Sequence, residues 1–404
     1  MQSSSAESEK LVWYNTLQQK RKGVKNMKIL HLSDLHLGRR LYHHSFLPQQ
    51  EKMLEQVVKI VVEQSVQAVL IAGDVYDKNV PAAEAVTVLD SFLTALSEKK
   101  IAVFLISGNH DSAERLQFAS QLLEHQGVYI AGTFSGEMQS YDLEDEYGKV
   151  HLCLLPFVKQ AALSSLYPKE NFRSLSDGIA HVIGQTALSE KDRNLLMYHG
   201  FVLHDGTPPE ESDSELQLGG TQLVDASVFD AFDYVALGHI HKPQWVRSGK
   251  MRYSGSLMKY SFSETLQKKS LTLLDWKEKD NLTVTAIPLC PETDMRIIRG
   301  KLEDLLTYAQ PSADWIRAEL TDETLVPYAM ERLRAVYPNV LELEFLSQSE
   351  RIAAGITEAE AVPEKSLLEL VDSFCSSVYQ YELSEHETAQ ALMQSICKEA
   401  EQTE

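Results

Sequence analysis

Short apolar runs alternate with amphipathic stretches in the first part of the chain, from Met27 to about Phe104. The run Lys28-Ile-Leu-His-Leu-Ser33 is typical of a buried strand, and residues 49–63 carry apolar side chains at helical spacing. The same patterns predict a strand over 68–72, a helix over 82–96 and a strand over 101–107. Strands and helices in alternation imply a parallel sheet covered by helices.

A second sheet and a second, smaller domain are predicted beyond this region. Apolar runs predict strands over 150–155, 194–199 and 234–237, and short alternating runs within 243–288 predict antiparallel strands that close the second sheet. The composition changes after Pro288. The patterns that follow predict a small α/β domain over 289–347, with strands at 296–298, 315–320 and 340–345 and helices at 301–309 and 327–336.

The two ends of the chain differ from these domains. Residues 1–26 are rich in Ser, Glu, Gln and Lys, and they predict a disordered N-terminal extension. A linker rich in Ser, Ala and Glu is predicted over 348–362, and two amphipathic helices over 363–404. By periodicity alone these helices fit a hairpin packed on its own domain and a partner-binding segment equally well.

Composition limits the class of protein. A chain of 404 residues is too long for one ordinary core, so at least two domains are expected. We expect a cytoplasmic protein, because no apolar run approaches the ~20 residues of a membrane span and no secretory signal is evident. Four cysteines without a CxxC pair favour free thiols. The net charge of −20 argues against nucleic acid as a partner, since phosphate binding normally needs Lys and Arg.

Five short polar clusters each lie at or just after the end of a predicted strand. In open α/β sheets that edge is where ligands bind. Glycines in the clusters permit tight turns and close approach of the backbone. The five are Asp34-Leu-His36, Gly73-Asp74-Val-Tyr-Asp77, Gly108-Asn-His-Asp111, His199-Gly200 and Gly238-His-Ile-His241.

The clusters offer oxygen and nitrogen donors for metal ions. An extended backbone would project Asp34 and His36 to the same side. Seven donors exceed what one tetrahedral zinc uses, and they suit two cations bridged by a carboxylate, which together activate water for in-line attack on phosphorus. Without thiolates the set suits Mn²⁺ best, with Fe²⁺, zinc or Mg²⁺ as alternatives. The seven donors are Asp34, His36, Asp74, Asn109, His199, His239 and His241.

Each cluster alone also has a structural explanation. A DxH after a strand is mostly incidental, a GDxxD is compatible with a turn whose carboxylates cap a helix, and His199 alone fits a hydrogen-bonded structural histidine. Five such clusters in order, all at strand ends, favour the metal site.

The order and wording of the clusters resemble the calcineurin-like metallophosphoesterase superfamily. The resemblance implies an α/β fold whose core is a β-sandwich flanked by helices over 27–288, followed by a capping domain. It also implies that His110 acts on the scissile phosphate and that Asp111 orients His110. Asp77 is left with two alternatives, a structural turn residue or a group that supports the site from outside the ligand set. It assigns one metal to Asp34, His36, Asp74 and His241, and the other to Asp74, Asn109, His199 and His239.

The wording between the clusters is similar to one branch, the SbcD nuclease subunits of bacterial SbcCD complexes. The resemblance runs from Met27 to about Pro288, and the rest matches in layout only. It implies a DNA exonuclease and hairpin endonuclease, a homodimer, and an SbcC ATPase partner gripped by residues 363–404; the chain itself has no GxxxxGK[ST] loop for ATP. The segments that carry it are Asp34-Leu-His-Leu-Gly-Arg-Arg40, Ala72-Gly-Asp-Val-Tyr-Asp77, Gly108-Asn-His-Asp-Ser-Ala-Glu-Arg-Leu116, Asp233-Tyr-Val-Ala-Leu-Gly-His-Ile-His-Lys-Pro-Gln244, Tyr253-Ser-Gly-Ser-Leu257 and Ser261-Phe-Ser-Glu264.

Basic residues beside the clusters are candidates for DNA contact. Arg39 and Arg40 follow the first cluster, Arg115 follows the third and Lys242 the fifth, and solvated surface charge is the alternative for all four. Residues 205–215, acidic and containing two prolines, predict a solvated loop.

Two other functions compete with a DNA nuclease. One is a metallophosphoesterase that acts on nucleotides or small phosphodiesters. A protein phosphatase is disfavoured, because Lys78-Asn79 and Asp111 stand where its Arg-Gly and Glu would be. The other is a non-catalytic scaffold of the same fold, and the complete set of expected ligands disfavours it.

Overall fold

The structure is a computed structural model that describes residues 26–215, 222–310, 312–322, 326–346 and 392–393. The predicted linker 348–362 lies outside the described residues, as do residues 1–25 and almost all of the segment 363–404. The chain forms two compact units. The larger holds the described residues of Met1–Ile298, Gln310–Arg317 and Arg334–Glu342, and the smaller those of Arg299–Ala309, Ala318–Leu333 and Leu343–Glu404.

The first described elements alternate strands and helices. In chain order they are β1 (Met27–Leu32), β2 (Arg40–Leu41), β3 (His44–Ser45), α1 (Leu47–Glu63), β4 (Ala68–Ala72), α2 (Ala83–Glu98), β5 (Ala102–Ile106), α3 (Ala113–Gln117), α4 (Ser120–Glu124) and β6 (Val128–Ala131). Pro48 lies in the first turn of helix α1, where its fixed φ suits the helix. The helix buries one apolar face.

The middle of the chain supplies further strands and helices. Its elements are β7 (Gln139–Asp145), β8 (Gly148–Leu155), α5 (Gln160–Leu166), α6 (Leu175–Gly184), β9 (Arg193–His199), β10 (Phe201–Leu203), β11 (Leu223–Asp225), β12 (Tyr234–Gly238), β13 (Gln244–Arg247), β14 (Met251–Tyr253), β15 (Ser270–Trp276) and β16 (Leu282–Pro288). Two single 3₁₀ turns, Ala226–Phe229 and Phe262–Glu264, lie between strands.

The C-terminal third contains β17 (Met295–Gly300), α7 (Leu302–Thr307), β18 (Trp315–Leu320), α8 (Ala329–Arg334) and β19 (Val340–Phe345). These strands form a three-stranded sheet with β18 in the centre. The predicted strands and helices of this region are therefore confirmed, while the domain boundary at 288 stays a prediction.

Two six-stranded sheets form the frame of the larger unit. The first has the order β16-β15-β1-β4-β5-β6, with β1, β4, β5 and β6 parallel. The second has the order β13-β14-β12-β9-β8-β7, with β8, β9, β12 and β14 parallel. The strands predicted within 243–288 were expected in one sheet, and this was wrong. β13 and β14 extend the second sheet, whereas β15 and β16 pair beside β1 in the first.

Apolar side chains fill three layers of the larger unit. The layer between the sheets includes Ile29, Leu70, Phe104, Leu152 and Met197, all essentially inaccessible to solvent. Helices α1 and α2 cover the outer face of the first sheet, and α5 and α6 cover that of the second. This burial on both faces explains why the central strands are continuous apolar runs. Among the described helices, none is long and apolar enough to cross a membrane.

Candidate metal centre

Strand register brings the predicted clusters to one edge of each sheet. In the first sheet Leu32 pairs with Ile71 and Ala72 with Ile106, so the three strands end level with one another. In the second sheet Gly238 pairs with His199. The chemistry-bearing loops therefore leave both sheets at the carboxyl ends of parallel strands, as predicted.

The first group of donors is Asp34, His36 and His241. One side-chain atom from each lies within 4.8 Å of the others, and all three residues are buried. The Nε2 atoms of His36 and His241 are 3.0 Å apart. The second nitrogen of His36, Nδ1, is buried without a hydrogen-bond partner. These atoms converge as ligands of a cation would.

The second group is Asp74, His199 and His239, which meet within the same 4.8 Å limit and are also buried. Asn109 completes it, because its Oδ1 lies 3.0 Å from His199 Nε2 and 3.0 Å from His239 Nδ1. The contact between the other ring nitrogen of His199, Nδ1, and the Ala72 carbonyl, at 2.8 Å, fixes the orientation of the ring.

Asp74 is close to both groups. Its Oδ2 lies 3.4 Å from His199 Nε2 and 3.7 Å from His36 Nε2, while its Oδ1 accepts a hydrogen bond of 2.9 Å from the His110 amide. One carboxylate thus faces a histidine of each group. The seven predicted ligands are all brought together at one place.

The charges of the site depend on burial. Burial raises the pKa of Asp34 to about 6, although the nearby histidines His199 and His241 act to lower it. Burial also acts to raise the pKa of Asp74, but the positive charges of His199 and His36 outweigh it and the pKa falls well below its usual range. Burial lowers the pKa of His199, but the charge of Asp74 overcomes this and raises it to about 9. Positive charge is therefore needed beside the buried carboxylates, and bound cations would supply it in place of these protons.

Glycine is required where the strand ends approach one another. A Cβ on Gly238 would lie 1.8 Å from the Ala72 carbonyl oxygen, and a Cβ on Gly108 would lie 2.1 Å from Asp74 Oδ1. Both distances are far below van der Waals contact. The absence of these side chains leaves the space in which the donors converge.

The backbone at the ligands is left-handed rather than extended. The φ angles are 54° at Asp34, 44° at His36 and 49° at Asp74, and His239 has a φ of 111°. The expectation that an extended chain projects Asp34 and His36 to one side was therefore wrong, although both reach the same group. Sparsely populated φ values of this kind concentrate at functional sites.

His110 stands beside the donors and is partly exposed. Its Nδ1 is 2.9 Å from the Asp77 carbonyl, and its ring centroid is 4.7 Å from that of His36. Asp111 does not hold the imidazole, contrary to the expectation. Its carboxylate accepts hydrogen bonds from the amides of Val75, Tyr76 and Gly108. Asp77 contacts His110 through its carbonyl, which agrees with a supporting role, the second of the two alternatives for this residue.

Four residues around His241 were not predicted as part of the site. Ser214 and Glu215 are buried and contact His241, so the prediction of a solvated loop up to residue 215 was wrong at its end. Glu264 and Lys269 form a buried ion pair of 2.6 Å on the far side. The segment Ser261-Phe-Ser-Glu264, which resembles the SbcD branch, was the sequence signal for Glu264. The segment does not indicate that Glu264 contacts His241.

The four basic residues named for DNA contact differ in their surroundings. Arg39 is mostly covered: it donates to Asp77 Oδ1 over 2.9 Å and to the Ser214 carbonyl over 3.3 Å. Lys242 pairs with Glu210. Arg40 and Arg115 are exposed. The DNA-contact assignments remain predictions.

The part of the chain that carries the donors matches a known protein family. The sequence model of the family described as Calcineurin-like phosphoesterase matches residues 27–243, which carry every predicted ligand. The chain belongs to the calcineurin-like phosphoesterase family. It is thus a hydrolase of phosphate esters. The α/β fold class predicted from the sequence is confirmed. A second model, SbcD_C, described as Type 5 capsule protein repressor C-terminal domain, matches residues 291–379.

A relative covers most of the chain. The SbcD component of the SbcCD nuclease of Staphylococcus epidermidis is 30% identical over 321 residues, which are 78% of this chain and 85% of the relative. The predicted resemblance to the SbcD branch is confirmed.

Two solved structures are more distant. A protein of Thermus thermophilus is 13% identical with a TM-score of 0.38, and it aligns with 65% of this chain and 99% of its own length. A dimetal phosphatase from Danio rerio is 14% identical with a TM-score of 0.36, over 64% of this chain and 95% of its own.

Proposed function

We propose that the chain is a metal-dependent DNA nuclease, an exonuclease on duplex ends and an endonuclease on hairpins. The observation that carries the proposal is the pair of buried donor groups joined by Asp74, with His110 beside them. The chain belongs to the phosphoesterase family, which supports hydrolysis of a phosphate ester as the reaction. The relative is named as part of a nuclease, which supports nucleic acid as the substrate.

The donors fit two divalent cations. Asp34, His36 and His241 would hold one, Asn109, His199 and His239 the other, and Asp74 would be shared. The cations supply Lewis acidity toward a phosphate oxygen and lower the pKa of water. Because the ligands are oxygen and imidazole nitrogen without thiolate, we propose Mn²⁺ as the ion used.

His110 is proposed as the acid that protonates the leaving oxygen. The Asp77 carbonyl is an acceptor only, so it takes the Nδ1 proton of His110 in both protonation states. Proton exchange is thereby confined to Nε2. Asp111 contributes indirectly, because its three backbone hydrogen bonds tie the turn after β4 to the turn after β5.

The protein is further proposed to have partner subunits and a cellular location. The name of the relative describes one component of a complex, and we propose that this chain likewise acts on DNA with an SbcC-type ATPase, as a homodimer. Residues 363–404 are proposed to bind the coiled coil of that ATPase, with 289–347 as capping domain. A nuclease of chromosomal DNA would act in the cytoplasm, which we propose as its location.

Cleavage of labelled DNA tests the function. Purified protein is incubated with end-labelled linear duplex and hairpin DNA in Mn²⁺, with and without chelator. We expect shortening of the duplex and opening of the hairpin, both abolished by chelator and by Asp74→Ala. Asp90→Asn, which changes an exposed carboxylate of α2, is the matched control and should cleave normally.

The outcomes separate the candidates. Metal-dependent cleavage lost only in the Asp74 variant supports the nuclease. Intact DNA together with rapid hydrolysis of a small phosphodiester would retain the metal centre and overturn the DNA substrate. Inactivity on both substrates, despite bound Mn²⁺, would instead favour a scaffold.

A further inference from the structure

The side chains of four residues hold His241 through both its backbone and its ring. Its amide donates to Glu215 Oε1 over 2.5 Å, and its carbonyl accepts from Lys269 Nζ over 2.8 Å. Its imidazole Nδ1 is 2.6 Å from Ser214 Oγ and 3.4 Å from Glu264 Oε1. Backbone and ring are thus both fixed.

The hydrogen bonds have one consistent direction. The hydroxyl of Ser214 contacts Glu264 Oε1, and an ionised carboxylate can only accept. The single hydroxyl proton of Ser214 therefore points to Glu264. Its oxygen then accepts the proton on His241 Nδ1, which leaves Nε2 of His241 unprotonated. That Nε2 faces His36 Nε2 at 3.0 Å, inside the first donor group.

Lys269 keeps the carboxylate of Glu264 in place. The two side chains form an ion pair of 2.6 Å, and both are buried, with Glu264 0% and Lys269 5% exposed. Lys269 Nζ also donates to Ser256 Oγ over 2.9 Å, besides the carbonyl of His241. A buried ion pair with further hydrogen bonds on both partners is a rigid support, since breaking it leaves an uncompensated charge.

The second donor group has a different support. His199 Nδ1 meets the carbonyl of Ala72, a neutral acceptor, over 2.8 Å. His239 turns Nδ1 toward Asn109 Oδ1, which is another donor of the same group and not a carboxylate behind the ring. Within the described residues, a carboxylate stands behind an imidazole of the first group only. Such a partner fixes the tautomer of a ligating histidine and makes it a stronger base.

We propose that Ser214, Glu264 and Lys269 are positioning residues that set the cation affinity of the Asp34–His36–His241 group and leave the other group unaffected. The proposal rests on the proposed function, because it assumes that both groups hold cations. It deepens that function by making the two sites chemically unequal.

Manganese titration of metal-free protein by calorimetry tests the inference. Each site is isolated in turn: His239→Gln removes the second, and His36→Gln removes the first. In the His239→Gln background, Ser214→Ala should weaken Mn²⁺ binding by about 10–100-fold, the usual effect of losing such a partner of a ligating histidine. In the His36→Gln background the same change should leave the dissociation constant within about twofold.

Two further variants control for structure. Ser214→Thr keeps a hydroxyl and should restore most of the affinity. Ser212→Ala removes a hydroxyl that contacts Ser214 Oγ at 3.0 Å and Glu264 Oε1 at 3.2 Å but does not contact His241, and it should bind as the parent does. Melting of the metal-free proteins checks that each variant is folded, and Ser214→Ala leaves the Glu264–Lys269 pair intact, so no buried charge is stranded.

The titration distinguishes failure of the positioning role from failure of the proposed nuclease function. Two sites in the parent and an unchanged first site in Ser214→Ala would overturn the positioning role and leave the metal centre standing. Equal weakening of both sites would also overturn it, because the effect would then be a general one. A parent chain that binds no Mn²⁺ would contradict the proposed function itself.

Discussion

At the scale of single residues, the site depends on which atom of each side chain is free. His110 presents Nε2 because Asp77 occupies Nδ1, and His241 presents Nε2 because Ser214 occupies Nδ1. The two histidines are held in similar ways but stand in different positions. His241 is buried inside the first donor group, whereas His110 is partly exposed beside it.

His110→Gln tests the role of the acid. Loss of a positioned proton donor should lower kcat for DNA cleavage by about 10²–10⁴-fold. Because His110 is not among the seven donors, Mn²⁺ affinity measured by calorimetry should be unchanged. His125→Gln, in a histidine outside the site, is the control and should cleave normally. A loss of Mn²⁺ binding in His110→Gln would contradict the assignment.

His31 makes the fold sensitive to acid. Burial lowers its pKa to about 3, and its Nε2 contacts the Leu237 carbonyl at 3.1 Å. Between pH 6.5 and 3 the unfolded chain therefore binds a proton that the folded chain does not, so stability falls as the pH falls. From pH 7.5 to 5.5 this histidine should cost about 1.4 kcal/mol of unfolding free energy.

Urea denaturation of His31→Gln and the parent at both pH values measures this effect. Glutamine does not titrate, so the variant should lose less stability on acidification than the parent, by about that amount. Identical losses would show that His31 is not responsible.

At the scale of elements, parallel strands that end at the same level create the site. The sequence predicted β4, β18 and β19 to the residue, and it placed each donor cluster correctly at a strand end. Apolar runs and the glycines that follow them are local signals, and they were enough to predict these strands and their ends. Pattern alone could not assign β15 and β16 to a sheet, because alternation indicates a strand without naming its neighbour.

The parts of the site that the sequence did not reveal depend on distant contacts. Glu264 meets Ser214 and His241 across 50 and 23 positions of the chain. A buried glutamate beside a buried lysine looks the same in sequence as a solvated pair. The left-handed φ values of Asp34 and Asp74 were equally hidden, since aspartate occurs with left-handed as well as extended backbone and the sequence does not tell which.

Gly238→Ala tests the close approach of the two sheets. The added Cβ would meet the Ala72 carbonyl oxygen at 1.8 Å, so β12 and β4 must separate. We expect a loss of about 1–3 kcal/mol or more of stability, seen as a lower Tm, together with weaker Mn²⁺ binding. Gly184→Ala at the end of α6 is the matched control, because its Cβ would meet nothing within 4 Å. An equal Tm for both variants would show that the two strands do not need glycine at this position.

At the scale of the whole molecule, charge is the feature that a DNA nuclease must explain. The chain has 58 acidic and 38 basic residues, and near the site Arg39 and Lys242 are already paired with carboxylates. Two divalent cations would add four positive charges where the phosphate binds. The remaining attraction for DNA would come from exposed residues such as Arg40 and Arg115 and from a partner protein.

The proposed nuclease needs two cations in the two buried donor groups. Anomalous diffraction from crystals soaked in Mn²⁺, recorded at the manganese edge, would locate them. We predict two peaks, one among Asp34, His36 and His241 and one among Asn109, His199 and His239, with Asp74 between them. A single peak, or peaks away from these residues, would show that the two donor groups do not form a two-metal centre.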